Sequence, residues 1–484
     1  MFSSNRPLSL FCLLAGLAGC APAIDLPPPA TPLPARFESQ DRAAPAVPAQ
    51  AIDRWWLLFG DAQLDGLIET ALARSTSARS AYFRIREARA IYDQSVASTW
   101  PTGNIAASAT AQDNNILSGR DVTGQGGRSN SYAASFSPSW ELDLFGRLAN
   151  VREGAAFDYE AAAFDYHASL MVLAADVGTT LFQARAIAVQ LADARETLRI
   201  AEDLAASAQL GLAHGLVAGG DAARLESDVG NARAEVTRLE ASLRATKRSL
   251  LVLVGRPDEP TDSLPIEAVL APPPAIPAAA PGELLIRRPD VRAAQARLEA
   301  AAAGVEVDRL NLFPRLTLNA SGGLSRTTGP FGVDVGFWSL GAGLAMPVLD
   351  RPRLMAQLRM SEARGNQAVV SYESAVQTAF REAENALTAT AANRARLVDL
   401  DRATDRARYA FDAARKGYGL GLTDLTTLLQ SERAWLATRT SYTAAKAQAL
   451  TDTVSAFRAL GGGWSTETPA FIPGQTPLHL PVAR

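Results

Sequence analysis

A stretch near the middle of the chain repeats one near its start, and this duplication limits what the chain can become. Residues 287–318 read Arg287-Arg288-Pro289-Asp290-Val291-Arg292, then an Ala-rich helical run, then Phe313-Pro314-Arg315-Leu316-Thr317-Leu318. Laid over residues 74–101 at an offset of 213, they align Arg79 with Arg292, Ala81 with Ala294, Arg84 with Arg297, Ala88 with Ala301, and Trp100-Pro101 with Phe313-Pro314. A second gapless pairing, at an offset of 206, aligns Arg147-Leu148 with Arg353-Leu354, Tyr166 with Tyr372, Leu181 with Leu387, Gly215-Leu216 with Gly421-Leu422, Glu226 with Glu432 and Gly255 with Gly461. The seven-residue difference falls in a longer loop of the first copy, near residues 113–130. Such equal spacing predicts two copies of one structural unit, with helix lengths held equal.

The 484 residues carry 47 basic and 50 acidic side chains, a net charge of −3, so no basic field points to nucleic acid. The N-terminus reads as a targeting segment: Arg6, an apolar run at residues 8–17, then Leu17-Ala18-Gly19-Cys20. The last quartet resembles the lipobox of bacterial lipoproteins, which predicts a signal peptide over 1–19 and a covalent lipid on Cys20. An ordinary signal peptide with a chance cysteine is the other reading. Cys12 lies inside the apolar run, so the mature chain keeps no free thiol for disulfide, metal or nucleophilic chemistry. Beyond residue 20 no apolar run reaches the ~18 residues of a membrane helix. Any crossing of a bilayer must use strands.

Residues 20–50 are rich in Pro and Ala and read as a flexible tether. The first repeat is expected over 51–255: a short amphipathic helix with Leu64, Leu67, Ile68 and Leu72 on one stripe, a longer helix, a β-hairpin over 101–144 and a long helical hairpin over 147–255. In the β-hairpin the period becomes two. Ile105, Ala107, Ala109, Ala111, Tyr132, Ala134, Phe136, Trp140 and Leu142 share one face; Asn104, Ser108, Thr110, Ser131, Ser135, Ser137 and Ser139 share the other. A Pro-rich linker outside the rod is expected over 256–282. The second repeat follows over 283–461, with a β-hairpin over 314–349 (Leu316, Leu318, Ala320, Leu324, Trp338, Leu340 and Leu344 against Thr317, Asn319, Ser321 and Ser339) and a helical hairpin over 353–461. A loose tail covers 462–484. Each strand has the ~9–11 residues that cross a bilayer at a tilt; a soluble sandwich with one buried face is the competing reading. The heptad-like runs predict helical rods on the order of 100 Å long.

The residues Trp55-Trp56 to Phe59-Gly60-Asp61, Trp140-Glu141-Leu142-Asp143-Leu144-Phe145-Gly146-Arg147, Arg288-Pro289-Asp290-Val291, Phe313-Pro314 and Ala459-Leu460-Gly461-Gly462-Gly463-Trp464 resemble the TolC-like outer-membrane efflux protein family, in its NodT-type lipoprotein branch. The resemblance covers residues 50–464. It implies a mostly α fold with a membrane β-barrel contribution: a homotrimer whose four strands per chain close a twelve-stranded barrel above an α-helical tunnel. It further implies an exit duct in the outer membrane lipid, served by a periplasmic adapter protein and an inner-membrane transporter of the resistance-nodulation-division type, for drugs or other small toxic compounds. Type I protein secretion and heavy-metal efflux are the alternatives within the family. Neither a cofactor beyond the Cys20 lipid nor nucleic acid is expected.

On this resemblance the turns Gly215-Leu216-Val217 and Gly421-Leu422-Thr423 match the tips that meet the adapter. The residues alone put a leucine at a rod end where its own chain has no use for it; a plain glycine turn is the alternative. Asp424, Thr427 and Gln430 match the periplasmic gate, but relatives carry acids where this chain has Thr427 and Gln430, so an acidic cation-binding ring is in doubt. Asp424 also fits a helix N-cap. Trp100, Tyr132, Trp140, Phe313 and Trp338 are expected at the membrane interfaces. Enzymatic readings find little: His167, His214 and His479 are scattered, without metal-ligand spacing, and no phosphate loop or nucleophile elbow is present.

Overall fold

The duplication carries through to the bounds of the elements. The computed structural model describes residues 26–39, 52–114, 127–277, 280–329 and 332–465. In chain order these hold α1 (Ala62–Arg74), α2 (Thr76–Ala97), β1 (Thr102–Asn114), β2 (Gly127–Leu142), α3 (Arg147–Ala213), α4 (Gly219–Leu253), α5 (Pro289–Leu310), β3 (Arg315–Thr328), β4 (Val333–Ala345), α6 (Arg351–Gly419) and α7 (Leu425–Ala459). Both ends of α5 fall 213 residues after those of α2, and both ends of α7 fall 206 after those of α4. Proline opens α5 at Pro289 and occupies the second position of α6 at Pro352, where its missing N–H leaves no helical bond unmade. Inside the 67 residues of α3 there is none, and Ala-rich composition carries the helix without interruption. An 18-residue window of α3 is apolar enough to cross a membrane, but most of it is buried within the protein, as in a core helix.

Two compact units are present. One, built from residues 26–30, 85–162 and 294–373, holds a single antiparallel sheet in the order β1-β2-β3-β4. The register repeats with the sequence: Thr102 pairs with Ser139 and Asn114 with Gly127, while Arg315 pairs with Ala345 and Thr327 with Val333. The strand faces divide largely as the alternation predicts, with Ile105 opposite Phe136, Trp140 opposite Leu318 and Leu316 opposite Leu344. One departure is on β4, where Val333, Val335 and Phe337 stand on the polar face. Gly323 makes room there: a Cβ on it would lie 3.0 Å from Phe337 Cζ.

The other unit, built from residues 31–84, 163–293 and 374–465, contains the main core. Trp55 is fully buried, stacked on Phe457 at 5.9 Å and edge-on to Trp56 at 5.8 Å, with Leu64, Ile68, Val177, Leu181, Leu250 and Val454 around it. Gly255 and Gly461 end α4 and α7 with φ of 76° and 79°, and a Cβ on either would sit 2.7 Å from a carbonyl oxygen, of Arg74 and Arg287 respectively. The same close approach thus recurs in both copies. Asp61 caps α1 by accepting from the N–H of Gln63 and Leu64, both at 3.1 Å, and pairs with the buried Arg185.

Burial alone would raise the Asp61 carboxyl, but the Arg185 guanidinium and those two backbone N–H groups outweigh it and hold the group below its ordinary range. A carboxylate depressed in the fold stabilises fully above its unfolded pKa and stops doing so as pH falls through the folded value. Stability is therefore expected to decline as pH drops below about 4, and Asp61→Asn to lack that part of the decline. Acid unfolding followed by circular dichroism measures it; an identical pH profile in the variant would contradict the assignment.

Three segments differ from the sequence reading. Residues 26–39 are docked rather than flexible. Leu26 lies on Gly365, the Ala30 N–H donates to Glu373 at 2.6 Å, Phe37 is buried and stacked on Phe380 at 5.7 Å, and the N–H groups of Glu38 and Ser39 donate to the Glu384 carboxylate at 3.1 and 3.0 Å. The contacts fall at steps of eight, seven and four along α6, one stripe of that helix. In the 256–282 linker, Leu264 is buried in the main core. The start of the tail is also fastened: buried Trp464 donates its Nε1–H to the Arg287 carbonyl at 2.8 Å, and the Gly463 N–H donates to the Ile52 carbonyl at 3.1 Å.

Candidate functional site

Both helical hairpins turn in the same way at their ends. Gly215 and Gly421 take φ of 71° and 72°, a region open to glycine at little cost. The Leu216 N–H donates to the Gly211 carbonyl and the Leu422 N–H to that of Gly417, both at 2.8 Å; the Gly215 and Gly421 N–H groups donate to Leu212 and Tyr418 at 3.0 Å. This is the six-to-one and five-to-two bonding of a Schellman cap. It leaves Leu216 and Leu422 pointing outward, 82% and 80% exposed. Val217 and Thr423 instead turn inward: Val217 packs against the Ala208–Leu225 cluster, and Thr423 Oγ1 covers Gly417. Only the leucine of each expected triplet is presented. Leu210 and Leu420, exposed at 66% and 74%, widen the apolar surface and were missed because neither aligns with a leucine in the other copy.

Of the expected gate residues, the structure brings Asp424 and Thr427 together and leaves Gln430 apart. The Asp424 carboxylate caps α7, accepting from the Thr427 N–H at 2.7 Å and its hydroxyl at 3.2 Å. These bonds, the backbone N–H of Thr427 foremost, hold the carboxyl below its ordinary range. Thr427 and Gln430 follow at one-turn intervals on the exposed side of α7, opposite buried Leu428 and Leu429. Two residues beyond Gln430, Glu432 is buried; desolvation and the nearby Asp228 charge raise its carboxyl. Asp228 meets Arg433 at 3.5 Å. Sequence reading noted Glu432 only as a repeat match.

The sheet presents an apolar face open along its length: Ile105 is 80% exposed, Leu340 74% and Trp338 84%. Trp140 stands near the start of this band and donates its Nε1–H to the Thr99 carbonyl at 3.1 Å, with Trp100 exposed beside that turn. Tyr132 stands opposite Arg326, whose guanidinium grips Asp334 at 2.6 Å. Trp338 pairs with Gly322, midway between those levels, so it sits within the band rather than at its border. Phe313 is half-buried, 5.2 Å from Phe145 and against Leu312 and Leu354, which makes it part of the packed junction between helix and strand. Cys20 and His479 lie outside the described residues. His167 is half-buried beside Trp464, where desolvation pushes it down to about 4 and keeps it neutral. Among the described residues no cluster of His, Cys, Asp and Glu is arranged to hold a metal.

These features recur in known proteins. The model of the outer membrane efflux protein family matches residues 67–256 and 280–462. The pyoverdine export outer membrane protein OpmQ of Pseudomonas putida is 31% identical over 476 residues, covering 96% of this chain and 97% of that one. The cation efflux system protein CusC of Escherichia coli is 27% identical, covering 94% and 98%. Among solved structures, the outer-membrane channel OprN superposes with a TM-score of 0.79 at 28% identity, over 92% of this chain and 99% of that one. A duplicated chain, an amphipathic four-stranded sheet and paired long helical hairpins, matched along almost the whole length, make this chain a member of the outer membrane efflux protein family, an outer-membrane channel and not an enzyme.

Proposed function

We propose that three copies close one duct, a twelve-stranded barrel in the outer membrane continued into the periplasm by the long helices, and that it is the exit of a tripartite efflux pump. The observation that carries this is the sheet. Its apolar face has no fully buried residue and is mostly exposed, and its outer strands β1 and β4 each leave a row of unpaired backbone groups. In lipid each such group costs several kcal/mol, so four strands must be closed by others. The opposite face offers Ser131, Ser135, Ser139, Thr317, Asn319 and Ser321, a hydroxyl and amide wall suited to small organic cargo. OpmQ, named for pyoverdine export, supports that class of cargo.

In this reading Leu216 and Leu422 dock a periplasmic adapter, and an inner-membrane transporter of the resistance-nodulation-division type supplies the energy. Cys20 carries the lipid. Asp424, Thr427 and Gln430 stand at the periplasmic mouth, with Asp424 engaged as a cap. Asp424→Asn, which still caps, is expected to leave cation selectivity in planar bilayers unchanged; lost selectivity would make Asp424 part of the gate instead. For the duct itself, deletion of the gene is expected to raise susceptibility to dyes, detergents and organic drugs but not to metal salts, with the full chain restoring the parent pattern. Unchanged susceptibility to every organic compound, or a single-chain mass for the purified protein in detergent, would overturn the proposal.

A further inference from the structure

The seam that joins the two halves of one chain can be carried over to the seam between copies. Within the chain the two halves are related residue for residue: moving every β1–β2 pair by 213 on β1 and 206 on β2 gives the observed β3–β4 pairs, from Thr102 with Ser139 (Arg315 with Ala345) to Asn114 with Gly127 (Thr327 with Val333). The β2–β3 ladder joins the first half to the second and includes Ser135 opposite Gly323. In the helices the same join includes the ion pair of Asp193 on α3 with Arg439 on α7, Asp193 being largely buried. β4 and β1 are the edges left open.

Resting on the three-copy reading above, we infer that β4 of one copy pairs with β1 of a second copy in the register of β2 with β3, and that Arg233 of one copy pairs with Asp399 of the other as Arg439 pairs with Asp193. The offsets place Gly341 opposite Thr110, Leu340 opposite Ala111 and Ala342 opposite Ala109. Two independent features agree with this. Leu340 and Ala342 on β4, and Ala109 and Ala111 on β1, all belong to the apolar face. A one-residue slip would have put one strand's apolar side in the lumen. In the helices the carried-over positions could have held any residue, yet they hold opposite charges. Asp399 is exposed, with no ion-pair or hydrogen-bond partner among the described residues. Among the described residues Arg233 reaches only Glu202, at 2.8 Å, in a pair that is 65% and 47% exposed. The partner surface is thus a second copy of this chain, recognised by strand register in the membrane and by one charge pair in the helices.

Cys12 and Cys20 are the only cysteines, so engineered pairs start from a nearly clean background. Thr110→Cys with Gly341→Cys, expressed in the full chain and oxidised in outer membranes, is expected to give covalent dimers and trimers on non-reducing gels. A Cβ at Gly341 meets no neighbour in its own chain. Ser108→Cys with Gly341→Cys is expected to stay monomeric, because a two-residue slip moves the Cβ atoms to about 7–8 Å, beyond the ~4 Å that a disulfide needs. Independently, Asp399→Arg is expected to lower the temperature at which the detergent-resistant trimer dissociates, and adding Arg233→Asp to restore it. Cross-linking by the Ser108 pair instead, or a failed charge rescue in a protein that still has trimer mass, overturns the carried-over seam and leaves the ring intact. A single-chain mass in detergent overturns the ring as well.

Discussion

Replacing Leu216 and Leu422 together by glutamate is expected to abolish export while the channel still reaches the outer membrane as an assembled, detergent-resistant species. The two leucines are more than three-quarters exposed and, among the described residues, belong to no buried cluster, so their substitution costs the fold little. The Schellman bonds that shape each tip run through Gly215 and Gly421 and the backbone N–H of the leucine, and all survive the change. A docked leucine, by contrast, is worth about 1.5–3 kcal/mol of buried apolar surface, and a glutamate in the same pocket adds the cost of desolvating a charge. Two tips per chain multiply the loss. Drug susceptibility equal to that of a deletion strain, with normal trimer on gels, is the expected pair of readings; susceptibility unchanged from the parent would mean that the tips do not dock.

The largest loss of stability is expected at Trp55. Trp55→Ala removes the ring stacked on Phe457 and edge-on to Phe59, in a core that brings together the segment before α1, α3, α4 and α7. Truncation of a buried tryptophan costs about 3–5 kcal/mol when the cavity cannot collapse, and long helices on several sides of the ring restrict collapse. Trp55→Phe keeps the stack and should lose distinctly less, since the indole Nε1–H has no hydrogen-bond partner among the described residues to forfeit. Denaturant midpoints with a constant slope measure both; a loss under about 1 kcal/mol in the alanine variant would mean that the core repacks.

Local order was largely legible from the sequence because it is written in periods. The seven-residue difference between the copies, the prolines that open α5 and α6 and the two-residue alternation of Tyr132, Ala134 and Phe136 each fix something that neighbouring residues decide. The cap at Asp424 was legible for the same reason, its acceptor lying three residues from its donor. What escaped depends on partners distant in sequence. Phe37 sits in a Pro-rich stretch without period, and the residues that hold the segment down, Phe380 and Glu384 among them, lie more than three hundred residues on. Val217 carries no mark that would send it inward while Leu216 points out; the cap geometry decides that. Phe337 interrupts a polar face because the glycine across the ladder, Gly323, leaves the space.

The docked segment at residues 26–39 also sets how much slack a lipid on Cys20 would have. Leu26 rests on Gly365, fourteen residues and so about 21 Å along α6 from Arg351, where that helix takes over from the last strand. Six peptide steps separate Cys20 from Leu26, and fully extended they span at most about 21 Å. The leash can therefore reach no further than the stretch of α6 between that contact and the start of the helix. An acyl chain on Cys20 would thus have little slack, behaving as a depth stop rather than a loose mooring.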